Sequence, residues 1–469
     1  MTELLRREPH VISAGLGLLA DAAERQAARV TRVDWAPPMA GTADDLVPVL
    51  SDPRRTEANE LAVQRMLSVR AQLVDVVPAG STLGLQSGEF LHAGPPIDWD
   101  RAGGPLRGAL MGAAVFEGLA DTPEAAAALA ERGGLTLAPC HSRGAVGPMA
   151  GVISPSMWLF VLEDPATGRR TYCSLNEGLG KVLRYGAFSP DVLERLAWMS
   201  AVLGPLLAKA VRDHGPVDVS AILAQMVQMG DEGHNRNRSG TLMLLRDLLP
   251  SMVASGWRTA DVARAAAFIG GNDHFFLNLA MPACKLALDA ARDIPGSTMV
   301  VVMARNGTDF GIQVAGTGDE WFTAPALTPQ GLFLGSYGPA DASPDIGDSA
   351  ITEAAGLGGF AMAAAPAIAR LVGGTAAAAL ATTRRMYEIS LAEHRLYQVP
   401  ALEFRGTPAG IDVTLVARTG ILPQINTGMA GKVAGTGQVG AGLVTPPAAV
   451  FADAVRALAI RARPGARPS

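Results

Sequence analysis

The chain has 469 residues, 49% of them hydrophobic and 18% charged, with a formal net charge of −5. That length exceeds what one hydrophobic core ordinarily supports, so two to four domains are expected. With no basic cluster, the acidic balance argues against a nucleic-acid partner.

The mean hydropathy of +0.22 comes mostly from Ala and Gly, and the longest apolar candidate, 356–369, is 14 residues, too short to cross a bilayer. The opening MTELLRREPH is charged and has no apolar h-region, so no secretory signal and no membrane partner are expected. Three cysteines, Cys140, Cys173 and Cys284, are an odd number without CxxC spacing, which suits reduced thiols and a cytoplasmic location.

In chain order, residues 10–13 read as a short strand, the stretch from Gly15 opens a helix, and 30–35 read as a second strand. Gly15, Gly17 and Ala20 fit a loose G-x-G-x-x-A fingerprint, with Asp34 placed 19 residues after Gly15 where a ribose-binding acid would sit. A nucleotide or CoA is the cofactor such a unit would take. The alternative is glycines that permit close helix–strand packing. A third strand at 71–80 would complete a small parallel sheet.

Residues 91–188 are rich in Gly and Pro. They hold a helix at 122–134, a long turn-rich stretch carrying His141 and Arg143, and a hairpin of 158–164 with 171–175. Asn176, Glu177, Gly178 and Lys181 follow, either to bind ligand or to start the next helix. Residues 189–295 read as a helical layer interrupted by two polar loops, GDEGHNRN and GGNDHFFLN.

In 296–469 two apolar runs flank Asn306–Gly307, a pair suited to a type I′ turn. The turn at 316–321 carries Asp319 and Glu320, and Asp348 and Ser349 open a helix of small residues. A lone GxGxxG at 435–440 has no strand before it and fails the context of a dinucleotide loop. The expected architecture is therefore α/β and multi-domain. A Rossmann-like βαβ unit fills 1–90, an α+β segment 91–188, the helical layer 189–295 and a mixed α+β domain 296–469.

Chemistry gathers in the polar loops. A run of acids, imidazole, amides and guanidinium groups is costly to bury without partners. His234 and His274 are the candidate proton carriers, with Asn272 and Asp273 beside them, unless both acids are caps and both histidines satisfy buried carbonyls. Asn235, Arg236 and Arg305 are candidate anion binders. Asp319, Glu320, Asp348 and Ser349 form a second polar group, with His141 and Arg143 as further lining. The two histidines are expected to share a cleft with the Asp319–Glu320 turn. No HxxxH or HExxH spacing supports a metal, and no Ser-His-Asp order or P-loop is present.

VMARNGTDFGIQVAGTGDEWFTAPA, DIGDSAITEAAGLGGFAMAAAPAI, FRGTPAGIDV, GAVGPMAGVISPSMWLFV and the two polar loops resemble the YlbE/YahG-like family across nearly the whole chain. That family includes the AllG subunit of oxamate carbamoyltransferase, which works with an FdrA-like subunit and a third subunit. The resemblance implies a homo- or hetero-oligomeric carbamoyltransferase subunit acting on small anions: phosphate or carbamoyl phosphate, and an oxamate-like amide. Carbamoyl transfer passes through a tetrahedral oxyanion and needs donors, cations and a proton shuttle more than a covalent nucleophile.

Overall fold

The computed structural model describes residues 10–15, 17–33, 35–371 and 373–463. Helices alternate with several small sheets, as an α/β chain should show. The N-terminal unit is a strand, His10–Ala14, a helix, Gly17–Arg25, and a parallel strand, Arg29–Val33. It buries little: Ile12 is 71% exposed.

The strand Gln72–Pro78, expected to extend that pair, joins another sheet. It pairs antiparallel with Trp158–Glu163 on one side and with Val217–Asp218 on the other. Burial explains the difference. Leu73 and Val76 enter the main core, which draws on residues from Leu46 to Ala459, whereas the N-terminal pair offers no such surface. Trp158–Glu163 pairs in turn with Arg170–Ser174, forming the hairpin expected there.

The helical layer runs from Pro190–Trp198 through Gly204–His214, Val219–Gln228, Arg238–Ala254 and Thr259–Gly270 to Leu277–Asp289. Between the first two helices, Met199–Leu203 is wound as a π-helix. Gly204 follows it against the Trp158 ring, where a Cβ would lie 2.4 Å from Cγ. The last helix is almost wholly buried and packs against the Trp158–Ser174 hairpin on one side and Val300–Asn306 on another. It is the spine of the molecule.

Val300–Asn306 and Asp309–Val314 form the expected hairpin, with Arg305 opposite Phe310. The turn sits one residue later than a type I′ Asn306–Gly307 pair requires. Asn306 ends the strand, and its side-chain oxygen accepts from the N–H groups of Thr308 and Asp309, while Gly307 takes φ +85.

The small-residue stretch is not one helix. A short turn at Ile351–Ala354 gives way at Gly356 (φ +96) and Gly358 (φ +55), and a 3₁₀ segment, Gly358–Ala364, follows. The glycines have steric reasons. A Cβ on Gly359 would lie 1.9 Å from the Gln424 carbonyl oxygen, and one on Gly358 would lie 2.1 Å from a carboxylate oxygen of Glu353. The backbone is thus free to wrap round that carboxylate. Helix propensity yields here to a polar group that must be satisfied.

Candidate functional site

The polar loop after Val219–Gln228 folds inward. Glu232 is fully buried and His234 is 3% exposed. The two oxygens of Glu232 accept from the backbone N–H groups of His234 (2.9 Å) and Arg236 (2.6 Å), which fixes the loop's curvature. His234 Nδ1 lies 2.9 and 3.0 Å from the two oxygens of Glu353, and among the described residues its Nε2 makes no hydrogen bond.

Glu353 also accepts from Gly359 N (3.0 Å), Asn426 N (3.2 Å) and the Thr352 hydroxyl (3.0 Å). Burial pushes its pKa up, but the His234 imidazole and these donors outweigh burial and hold it below the usual range. Glu232 goes the other way: burial, then the charge of Glu353, lifts it well above the usual range. Two carboxylates with opposite shifts beside one imidazole are an acid–base arrangement.

The second polar loop meets the first. Asn176 is the hub. Its amide donates to the His274 carbonyl (2.9 Å) and to Asn278 Oδ1 (2.7 Å), while Asn272 Nδ2 donates to Asn176 Oδ1 (3.0 Å). His274 is half-buried, and its Nδ1 lies out of solvent with no hydrogen-bond partner among the described residues. Burial, then the charges of Arg184 and His234, lowers its pKa to about 3, so the ring is neutral at physiological pH. The carbonyl of Asn235 pulls the other way. Arg184 spans the Gly178 carbonyl with Nε (2.9 Å) and Nη2 (2.6 Å).

Outside this network lies a cleft of about 440 Å³, lined among others by Glu177, Gly178, Arg195, Asn272 and Asp273. Glu177 also closes a narrow chamber of about 30 Å³ walled by Met157, Trp158, Leu196 and Met199. Burial raises the Glu177 pKa against the N–H groups of Leu183 and Arg184 that it binds. A cleft edged by amides, a guanidinium and a carboxyl whose pKa burial raises suits a small polar ligand.

His234, Asn235, Asn272, Asp273 and His274 are therefore neighbours, and Arg238 reaches Asp273 at 3.8 Å across the two loops. Arg236 turns outward, its Nε on Asp231 (3.1 Å), into a surface cavity with Arg238 and Arg246. Arg305 is fully buried. It donates twice to Asp345 (2.6 and 2.9 Å), once to the Gly347 carbonyl (2.8 Å) and once to Thr427 (3.1 Å).

Asp348 clamps two distant loops, accepting from Gly94 N (2.8 Å) and Gly147 N (2.9 Å), with His141 Nε2 3.3 Å away and Ser349 buried beside it. The Asp319–Glu320 turn stands apart from His234. Asp319 lines a cavity with His141 and Arg292, and Glu320 pairs with Arg461 (2.8 Å). Arg143 is exposed. Gly15 takes φ +111 at the N-terminal turn, Gly17 starts the helix, and Asp34 lies outside the described residues.

Glu353, Glu232, Asn426, Arg184 and Asn278 join the site without having been singled out, and Asn176 and Glu177, weighed as ligand binders after the hairpin, join it too. For Glu353 the signal was the G-L-G-G that follows it, too glycine-rich for a helix that simply continues.

Fold and site together define an α/β protein with a buried histidine–carboxylate centre and, lined by Asn272 and Asp273 of the neighbouring loop, an amide-edged cleft. Residues 135–349 match the family model described as oxamate carbamoyltransferase subunit AllG. The chain is 46% identical to the Escherichia coli K12 protein named oxamate carbamoyltransferase subunit AllG, over 86% of this chain and 97% of that one. It is 41% identical to the E. coli K12 protein YahG, over 97% and 98% of the two chains. A crystal structure of a conserved Enterococcus faecalis V583 protein of unknown function superimposes with a TM-score of 0.84 at 44% identity, covering 86% of this chain and 97% of that one. The chain belongs to the family of AllG and YahG.

Proposed function

We propose that the chain is a subunit of an oxamate-carbamoyltransferase-type complex. With FdrA-like and third subunits it exchanges a carbamoyl group between phosphate and a small carboxylated amide of the oxalurate/oxamate type. The relationship to AllG supports the complex, and the observation that carries the chemistry is His234, held at Nδ1 by an ionised Glu353 with Nε2 uncommitted.

In the phosphorolytic direction a phosphate oxygen attacks the ureido carbon, and a tetrahedral intermediate forms. The bond to the amide nitrogen then breaks, giving carbamoyl phosphate. The proton given up by hydrogenphosphate ends on the departing oxamate nitrogen, so the step is balanced by a single proton transfer. His234 Nε2 is the group that carries it, and Glu353 fixes the tautomer and stabilises the charged ring. His274, with a pKa of about 3, is a poor carrier at neutral pH. Arg195 lines the cleft and Arg184 the adjoining chamber, and these guanidinium groups are the cations for an anionic substrate.

The test is phosphorolysis of oxalurate, followed as carbamoyl phosphate by mass spectrometry, with and without co-expressed partner subunits. Phosphate-dependent product from the complex alone is expected. Equal turnover without phosphate by the isolated chain would make it a ureido hydrolase and overturn the reading.

A further inference from the structure

We infer that a second pocket, separate from the His234 centre, binds a small planar monocarboxylate on Arg292 in the place now taken by Asp319. The cavity measures about 390 Å³ and is lined by His141, Lys285, Arg292, Gln313, Asp319 and Trp321 among others. That volume lies within the range of small-ligand clefts.

Charge balance is the first argument. The side chains of Lys285 and Arg292 are only 2% and 14% exposed, and two desolvated cations need two counter-charges. Asp289 supplies one, 2.9 Å from Lys285 Nζ and 3.8 Å from Arg292. The other is the Asp319 carboxylate on Arg292 Nη2, whose side chain is 93% exposed. It reaches in from the turn behind Gly318, while the rest of the side chain stays in water. An ion pair with one partner so exposed is weak, and water or another carboxylate competes for it. Asp319 stands where a ligand's carboxylate would stand.

The guanidinium is already aimed. Gln313 Oε1 accepts from Arg292 Nη1 (2.9 Å), and Gln313 Nε2 donates to the Asp319 carbonyl (2.8 Å), so the fork keeps its plane when the Asp319 carboxylate leaves. A preset fork favours bidentate carboxylate. The wall is also formed. Trp321 meets the His141 ring edge-on at 5.9 Å, and the His141 side chain is 3% exposed with neither ring nitrogen hydrogen-bonded among the described residues. With Asp319 displaced, the charged groups lining the cavity are Lys285 and Arg292 against Asp289, which matches a monoanion, while Asp289 and Asp348 behind His141 disfavour a dianion such as hydrogenphosphate.

The inference does not depend on the carbamoyl-transfer reading and is tested by binding alone. Full-length protein is titrated calorimetrically with oxamate, and with inorganic phosphate for comparison. Asp319→Asn, a change at an exposed side chain, removes the internal competitor and should tighten oxamate about two- to five-fold, the worth of an exposed ion pair. Arg292→Lys should weaken it about ten-fold or more, and His234→Asn should leave the Arg292-dependent heat unchanged. Oxamate heat lost in His234→Asn but kept in Arg292→Lys would place the carboxylate in the other cleft and overturn the inference, leaving the proposed reaction standing. No heat in either wild type or Asp319→Asn, or phosphate binding as tightly as oxamate, would overturn it as well.

Discussion

Replacing Glu353 by Gln keeps the shape of the side chain and removes the charge that four donors share: His234 Nδ1, the Thr352 hydroxyl, Gly359 N and Asn426 N. A glutamine offers one acceptor oxygen, and its amide would point N–H groups at donors. Hydrogen bonds to a buried charge contribute roughly 1.5–3 kcal/mol each, and removing one partner of a buried pair costs about 3–5 kcal/mol. Relief from desolvating a carboxylate offsets part of this, leaving about 3 kcal/mol.

For 469 residues, an unfolding entropy near 2.1 cal/mol/K per residue gives about 1 kcal/mol per degree, so Tm should fall by about 3 °C if the chain melts as one unit. Because the Glu353 pKa is lowered on folding, its contribution is present above the ordinary carboxylate range and lost as pH falls through the folded value. The gap between wild type and variant should therefore close in acid. In the oxalurate assay the loss should be about 10²–10⁴-fold, the scale for a dyad whose orienting carboxylate is neutralised. A variant with unchanged Tm and unchanged turnover would refute the argument that this carboxylate organises the centre.

Two further outcomes follow from burial. His274, held at a pKa of about 3, lacks the proton that the unfolded chain takes up below about pH 6.5, so it removes about 1.4 kcal/mol of stability per pH unit as pH falls. His274→Gln should remove that slope in urea titrations at pH 7.5 and 5.5, and an identical wild-type-to-variant gap at both pH values would contradict it. Arg305→Met strands the buried Asp345 and should cost about 3–5 kcal/mol in the same titrations, most of it regained in Arg305→Met/Asp345→Leu. A double variant no more stable than the single would speak against the pair being structural.

The helical layer and both hairpins were legible because period and turn chemistry are local. The strand Gln72–Pro78 was legible as a strand but not in its pairing, since its partners lie far along the chain and are chosen by a core no window displays. His234 and His274 stood out by the polarity of their loops, and their loops do meet. Glu353 did not, because a carboxylate in a first helical turn has an ordinary explanation in the helix dipole. Only the folded chain brings His234 to it from 119 residues away. Arg305 shows the reverse: a charge beside a strand end looks like an anion binder, but Asp345 and Thr427 occupy its donors.

The π-turn at Met199–Leu203 also bears on how relatives should be aligned. Before it, Val192 and Leu196 pack into the small core with Leu106 and Leu110; after it, Leu206, Leu207 and Val211 pack into the large one. One extra residue in a continuous helix shifts the phase by about 100°, and that shift lets a single rod serve two cores. Gly204 against Trp158 pins the later half, so a deletion here would turn the earlier half instead. Met199 and Ser200, which wall the narrow chamber, would swing with it. A one-residue gap between 190 and 204 in a relative is thus no neutral change of length, but the written record of a differently shaped chamber.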